Sequence, residues 1–404
     1  MTEQRMRIGI ETRFMAGHMT GIGNYAFHLL SVLTASYPEL EYRGFGRASW
    51  FSLDTNALQH VSKNQNKGSE LEKARPNALR HVGDGLRQRA SSIEVFRQVY
   101  RYTHRLAFAG TVRSQRLDMF HALNFIPPSD PGVPILPVVY DLSFVRYPAA
   151  HPMERLRWLE PLAKIIQACP VIQTISAFSR AEIAEVYGIS RDRIFVAPPA
   201  AGPIYRALGQ EASTPHLRAL GLDFGSFLLA VGTLEPRKNL RTLITAYSLL
   251  PPAERRRVPL AIAGGLGWGD IDLPREAAAL RNEGTLRFLG PVPDPVLRSL
   301  YEGAIALLFP SLYEGFGMPA VEAMSCGTSV VHSLNTSVDE ITGGLCRRVD
   351  ALDVNAWAGE MRSLVASGYE ADAAKRNALI DRASTFDWKE SARKVRNAYN
   401  LLVS

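Results

Sequence analysis

The chain has 404 residues, enough for two domains with separate cores, and carries 46 Lys and Arg against 39 Asp and Glu. No apolar run approaches the roughly 18 residues that span a bilayer, and Met1-Thr2-Glu3-Gln4-Arg5 leads into no signal-peptide core, which speaks against a membrane-spanning or exported class. Cys169, Cys326 and Cys346 sit among apolar or small residues without metal spacing and read as reduced, buried thiols of a cytosolic protein. The basic excess belongs to the first half: residues 1–200 hold 24 Lys and Arg against 17 Asp and Glu, residues 201–404 hold 22 of each, and 60–116 hold 12 against 4. Such a surface attracts phosphate-bearing partners or anionic lipid, or is simply solvated.

Met6-Arg7-Ile8-Gly9-Ile10 reads as a strand, followed by Gly17, Gly21, Gly23 and a helical pattern from Asn24 through Tyr25, Leu29, Leu30 and Leu33. Strand, glycine loop and helix form a unit that a phosphate can approach, although Gly21-Ile22-Gly23-Asn24-Tyr25 lacks the spacing of the dinucleotide fingerprint. Residues 41–92 are polar and poorly periodic and give no assignment. The spacing Ile93, Phe96, Val99/Tyr100, Thr103, Leu106/Ala107 predicts a helix with Arg97, Arg101, His104 and Arg105 on other faces; it either lies on a membrane surface or packs its apolar side on a sheet. Asp118–His121 ends a strand, and Ile135–Leu142 reads as the next buried strand. Tyr140-Asp141 then falls at its carboxyl end, where doubly wound sheets face their ligands. Ile172–Ser176 is a further strand, after which Ser176 and Ser179 bracket a helix start and Ser179 with Glu182 has capping-box spacing. Ile194–Ala197 runs into Pro198-Pro199 and a small-residue segment to Pro215, where composition puts a domain boundary near residue 205.

The second half opens with the buried strand Phe227–Gly232 and a helix over Leu240–Leu250. Arg237 and Lys238, just before that helix, oppose its dipole unless an anion sits between them. A guanidinium and an ammonium there suit a phosphate group. Leu260–Gly265 gives a strand and glycine turn, and Trp268, between Gly267 and Gly269, is placed to line a base pocket. Asp270-Ile271-Asp272 has the spacing of a divalent-cation pair but lies in a polar loop far from the other site residues, and no metal is expected. After the strand Ala304–Phe309 comes Pro310-Ser311-Leu312-Tyr313-Glu314-Gly315-Phe316-Gly317-Met318-Pro319, in which two glycines make a turn close to a ligand and Pro319 suits the first helical position. Glu314 and Glu322 frame that anion-binding turn. Carboxylates beside a phosphate site fit a ligand whose hydroxyls donate to them, so a nucleotide sugar fits both. Val330-Val331 continues the sheet, Leu345–Asp350 is polar for a strand, and Phe386–Ala392 begins a C-terminal helix.

Glu314-x7-Glu322 within Pro-Ser-x-Tyr-Glu-Gly-Phe-Gly-x-Pro resembles the signature of family 4 of the retaining glycosyltransferases, and the likeness extends over about three quarters of the chain. It implies an α/β fold of two doubly wound, parallel-sheet, Rossmann-like domains facing a cleft, the GT-B architecture. Residues 1–205 are then the acceptor-side domain, 206–385 the nucleotide-sugar donor domain, and 386–404 a helix crossing back to the first. By the same resemblance Glu314 faces the donor sugar, Glu322 binds the ribose, and Phe316, Gly317 and Met318 offer backbone to sugar and diphosphate. Arg237 and Lys238, in a Pro-Arg-Lys-Asn stretch, clamp the diphosphate, and Gly21 and Gly23 face it across the cleft. The family usually has His where this chain has Tyr140, followed by the same Asp-Leu. Tyr140 offers a hydroxyl but no cation at neutral pH, so His121 is the candidate for the missing function and Asp141 is placed at the acceptor hydroxyl.

The resemblance implies a bacterial mannosyltransferase-like enzyme. It would move a hexose, with GDP-mannose ahead of dTDP- or UDP-sugars, onto a hydroxyl of a lipid-linked or growing polysaccharide. Configuration would be retained, with no metal, no cofactor beyond the nucleotide sugar and no nucleic-acid partner. The expected location is cytoplasmic, with the basic 60–116 region against the inner face of the membrane. A nucleotide-sugar epimerase of the same fold and an inactive sugar-nucleotide-binding subunit are the alternatives.

Overall fold

Continuous apolar runs separated by amphipathic helices become two parallel sheets. The computed structural model describes residues 5–15, 21–46, 48–58, 102–267, 273–370 and 372–403. In the first domain β1 (Met6–Glu11), β2 (Leu40–Gly46), β3 (Ser49–Ser52), β4 (Met119–Ala122) and β5 (Ile135–Pro137) are ordered β3-β2-β1-β4-β5. All neighbours run parallel except β2 and β3, a hairpin in the stretch that gave no assignment from sequence. The helix Gly21–Ser36 buries Tyr25, Ala26, Leu29, Leu30 and Leu33 against this sheet, the 3–4 spacing that its pattern demanded.

Ile135–Leu142 does not form one long strand. The ladder with β4 ends at Pro137, which has no N–H to give. Val138 then bridges to Gln173, so that β6 (Ile172–Thr174) and β7 (Ile194–Val196) extend the layer. The helix around 102–111 also differs from expectation: it turns His104 and Phe108 inward and leaves Leu106 54% exposed. Phe108 sits edge-on to Phe45 and Phe120, and that aromatic cluster sets the helix register. The remainder of that predicted helix, 93–101, and most of the basic 60–116 region lie outside the described residues.

The second domain holds β8 (Leu228–Val231), β9 (Leu260–Ala263), β10 (Leu286–Gly290), β11 (Ala306–Phe309), β12 (Val330–Ser333) and β13 (Arg347–Val349), all parallel, in the order β10-β9-β8-β11-β12-β13. β13 is an edge strand with Arg347 and Arg348 exposed, which explains its polar sequence. The chain leaves β7 at Val196 and enters β8 at Leu228, with residue 205 between them. In each sheet the strand order reverses once, between β1 and β4 and between β8 and β11, and crevices at such reversals are where doubly wound folds bind ligands.

The last helix, Trp388–Val403, packs on the first domain. Ser391 Oγ and Lys394 Nζ donate to the carbonyls of Pro198 and Val196 (2.6 and 3.1 Å), and Tyr399 Oη lies 2.7 Å from His121 Nδ1. Among the described residues no helix is long and apolar enough to cross a membrane. Tyr399→Phe strands the buried His121 nitrogen and is expected to cost about 1–3 kcal/mol in urea unfolding; an unchanged midpoint would show that this contact does not seat the helix.

Candidate active site

The loops that leave β8 and β11 carry the predicted donor residues to one point. Pro236–Lys238 forms a single 3-10 turn ahead of the helix Leu240–Ser248, and Asn239 between them adopts a left-handed conformation (φ 53°). Its amide Nδ2 donates to the carbonyls of Pro310 and Ala351 (3.1 and 2.6 Å), which ties the two loops together. Lys238 Nζ lies 2.6 Å from Glu314 Oε1 and Arg237 Nη1 3.2 Å from Glu314 Oε2. The anion that the helix dipole called for is therefore partly the protein's own: Glu314, and Glu235 at 2.5 Å from Arg237. Burial works to raise the Glu314 carboxyl, but Arg237 and Lys238 outweigh it and hold the group down at about 2.

Around the same turn three serines hold consecutive carbonyls. Ser337 Oγ lies 2.9 Å from both the Glu314 and Phe316 oxygens, and Ser176 and Ser179 reach the Gly315 oxygen from the other domain (2.6 and 3.2 Å). Among the described residues nothing accepts from the N–H groups of Gly315, Phe316, Gly317 or Met318. Four adjacent amides at a helix N-terminus, the helix being Met318–Ser325, form an anion nest. Gly317 caps that helix at φ +106°, and Pro319 is its second residue rather than its first. Gly315 has no room for a side chain: a Cβ there would strike the Tyr140 carbonyl oxygen and lie 2.8 Å from Asp141 Cβ. The domains thus meet at the signature turn, and Asp141 faces it. Its Oδ1 accepts from the amide and hydroxyl of Ser143 (2.9 and 2.6 Å), and its charge is felt by Arg237.

Two expected catalytic side chains are elsewhere. His121 is fully buried with both ring nitrogens engaged, Nδ1 by Tyr399 and Nε2 by Gln173 Oε1 at 3.0 Å, and burial drives it down to about 3. It cannot serve as a cation in the cleft. Tyr140 gives the turn its backbone only: its hydroxyl donates to the Leu123 carbonyl at 2.7 Å and its ring stands edge-on to Tyr25 and Phe125. The histidine near Asp141 is His151, whose Nε2 lies 3.0 Å from Ser143 Oγ.

Glu322 is separate from the Glu314 pair and accepts from Tyr301 Oη at 2.8 Å. Burial pushes its carboxyl up to about 8, so at neutral pH it is mainly protonated and able to donate as well as accept. Gly21 and Gly23 are not in a loop but in the first turn of the helix Gly21–Ser36. Gly17, Trp268, Asp270 and Asp272 lie outside the described residues, and among the described residues no group of three or more His, Cys, Asp or Glu could hold a metal. Sequence reasoning missed the cross-domain work of Ser176, Ser179 and Glu340. Ser176, not Ser179, caps the helix Ala177–Tyr187, and Glu340 of the second domain accepts from its Ala177 and Phe178 amides at 3.1 Å each. Glu182, the expected partner of Ser179, instead pairs with Arg146 and Tyr313. The only signals were local helix-start residues, which hide what lies across a domain boundary.

A turn of free amides with two cations and facing carboxylates has the chemistry to hold a phosphorylated, hydroxyl-bearing ligand. Residues 223–382 match the model of the glycosyl transferases group 1 family. The chain is 32% identical over 399 residues to the O-antigen chain mannosyltransferase B of Escherichia coli, covering 98% of this chain and 100% of that one. Solved structures with the same fold include sucrose-phosphate synthase from Thermosynechococcus elongatus (TM-score 0.67, 17% identity, 98% and 99% of the two chains) and HepE from Anabaena in complex with UDP and glucose (TM-score 0.66, 16%, 98% and 100%). The protein belongs to the group 1 glycosyltransferase family and has its two-domain GT-B architecture.

Glu322 favours its neutral form in the fold, so its contribution to stability is complete below the ordinary 4.5 and is lost as pH rises toward about 8. Thermal melts of the parent and of Glu322→Gln across pH 4.5 to 8 should show the parent falling relative to the variant. Parallel curves would contradict the raised carboxyl. Glu314 has the opposite sign: its ion pairs stabilise above the ordinary 4.5 and are lost as pH falls toward about 2.

Proposed function

We propose that the protein is a retaining hexosyltransferase that moves mannose from GDP-mannose to a hydroxyl of a growing or lipid-linked bacterial polysaccharide of the O-antigen kind. The observation that carries this reading is the convergence of Arg237 and Lys238 on Glu314, beside the free amides of Gly315 to Met318 and with Asp141 facing Gly315. The two cations and the amide nest stabilise the departing diphosphate without a metal ion, by fixed charge and dipoles. Glu314 and the backbone of Phe316 and Gly317 hold the sugar, and Glu322 takes the ribose hydroxyls. Asp141, oriented by Ser143, receives the acceptor hydroxyl. The transition state is oxocarbenium-like. With no second carboxylate placed as a covalent nucleophile among the described residues, attack comes from the face that the phosphate leaves, and the phosphate oxygen accepts the acceptor's proton. The mannosyltransferase relative supports the choice of sugar. Such an enzyme works in the cytoplasm, with the basic 60–116 region against the anionic inner face of the membrane.

Among GDP-, UDP- and dTDP-sugars, GDP-mannose should give the largest upward thermal shift, because ligand that binds only the native state stabilises it in proportion to affinity; equal shifts would leave mannose transfer without support. Arg237→Ala and Lys238→Ala should each lower kcat/KM by about 10²–10³, with transfer surviving EDTA. The anomeric configuration of the product, read by NMR, should match that of the donor, and inversion would exclude the front-face route. Formation of an epimeric sugar with no acceptor present would instead favour an epimerase.

A further inference from the structure

Outside the donor loops the first domain carries a second built crevice. A cavity of about 530 Å³ lies at the carboxyl edge of the first sheet, between Glu11 at the end of β1, Arg13 beyond it, and Pro127-Pro128 after β4. That is where strand order reverses in this sheet, as it reverses at β8 and β11 around the donor loops. The volume is within the roughly 300–1,000 Å³ of small-ligand sites. Its far wall is the helix Met153–Leu159, and two residues before that helix His151 is bonded to the Ser143 that orients Asp141.

The lining is chemically specific. Glu11 is 5% exposed, and its Oε1 has no hydrogen-bond partner although Arg13 Nε is 3.2 Å away. A buried carboxylate oxygen in that condition is stabilised by a hydroxyl that donates to it. Trp158 is held edge-on by Phe125 (6.4 Å, 84°), offering a fixed apolar face of the kind that carries the C–H side of a sugar ring. Around the opening Arg105 spends one N–H on the Pro128 carbonyl at 2.9 Å, and neither it nor Arg157 pairs with a carboxylate among the described residues. Two guanidiniums with open forks are a receptor for a phosphate ester. Glu154 shares this wall, so the lining sets two carboxylates against three guanidiniums, those of Arg13, Arg105 and Arg157.

We propose that this cavity binds the acceptor as a glycan esterified to phosphate or diphosphate, with a sugar ring on Trp158, a hydroxyl on Glu11 and the phosphate on Arg105 and Arg157. The inference rests on the glycosyltransferase reading and deepens it by naming the acceptor class. Calorimetric titration with three probes tests it: an octyl diphosphate-linked hexose disaccharide, the octyl disaccharide without phosphate, and inorganic pyrophosphate. The diphosphate-linked glycan should bind at least tenfold more tightly than either of the others. Arg105→Ala/Arg157→Ala should erase that advantage and leave the phosphate-free glycoside unchanged, while Trp158→Ala should weaken both glycosides tenfold. The two arginines are surface residues, and an unaltered thermal shift with GDP-mannose, held on the other domain, reports that each variant is folded. Equal binding of the two glycosides, pyrophosphate binding as tightly as the linked glycan, or a preference that survives the double variant would overturn the acceptor site while leaving nucleotide-sugar binding intact. A parent protein that binds no nucleotide sugar and transfers none would overturn the enzymatic reading itself.

Discussion

The structure depends on one buried carboxylate. Glu314 is 7% exposed, and burial works against its charge, yet Lys238 at 2.6 Å and Arg237 at 3.2 Å keep it ionised. Removing either side of such a pair leaves an uncompensated buried charge, so the β8 and β11 loops must fold together or not at all. Asn239 of the β8 loop reinforces the constraint by bonding Pro310 after β11 and Ala351 after β13 at once, and it does so from a left-handed backbone that Asn accepts more readily than most residues. Two cations already matched to a carboxylate are fixed in direction. In the proposed function, a diphosphate would meet charges there that need no reorganisation.

The same turn is also the seam between the domains. Ser176 and Ser179 reach across to the Gly315 carbonyl, Tyr313 Oη accepts from the Leu142 amide, and Glu340 takes the first free amides of the helix Ala177–Tyr187. Each of these bonds forms only when the domains are together, and each borders the residues proposed to handle the donor. Whatever opens the cleft to admit a nucleotide sugar must therefore exchange these bonds for water, and whatever closes it aims the amides of Gly315 to Met318 again.

Much of this was legible in the sequence because it is local. Strand, glycine turn and helix start lie within twenty residues of one another at 309–327, and the unfavourable position of Arg237 and Lys238 against a helix dipole called for an anion. What could not be read was the identity of that anion, since Glu314 is distant in sequence, and the partners of His121, which come from Gln173 and Tyr399. Strand position alone put His121 at a sheet edge, and the C-terminal helix then covered it. Ser179 and Glu182 had capping spacing, but Arg146 and Tyr313 compete for the same carboxylate and won. The face of the 102–111 helix was misjudged by one residue because Phe108 outweighs Leu106 as a core anchor when Phe45 and Phe120 stand ready to receive it.

Tyr140, at the position where the resemblance implies a histidine, is best understood from what surrounds it. A phenol at that position reaches the Leu123 carbonyl and fills the space between Tyr25 and Phe125, so the side chain has become part of the core while its carbonyl still meets Gly315. An imidazole is nonetheless present beside Asp141, reached through Ser143. If the Ser143 hydroxyl gives its one proton to Asp141, His151 Nε2 must donate to that hydroxyl, which fixes the ring's tautomer. Burial lowers this histidine below its ordinary value, so it stays uncharged near neutrality and orients rather than neutralises the carboxylate. The chain thus has an imidazole eleven residues beyond position 140 that reaches Asp141 through the Ser143 hydroxyl, where it orients that carboxylate without adding a positive charge.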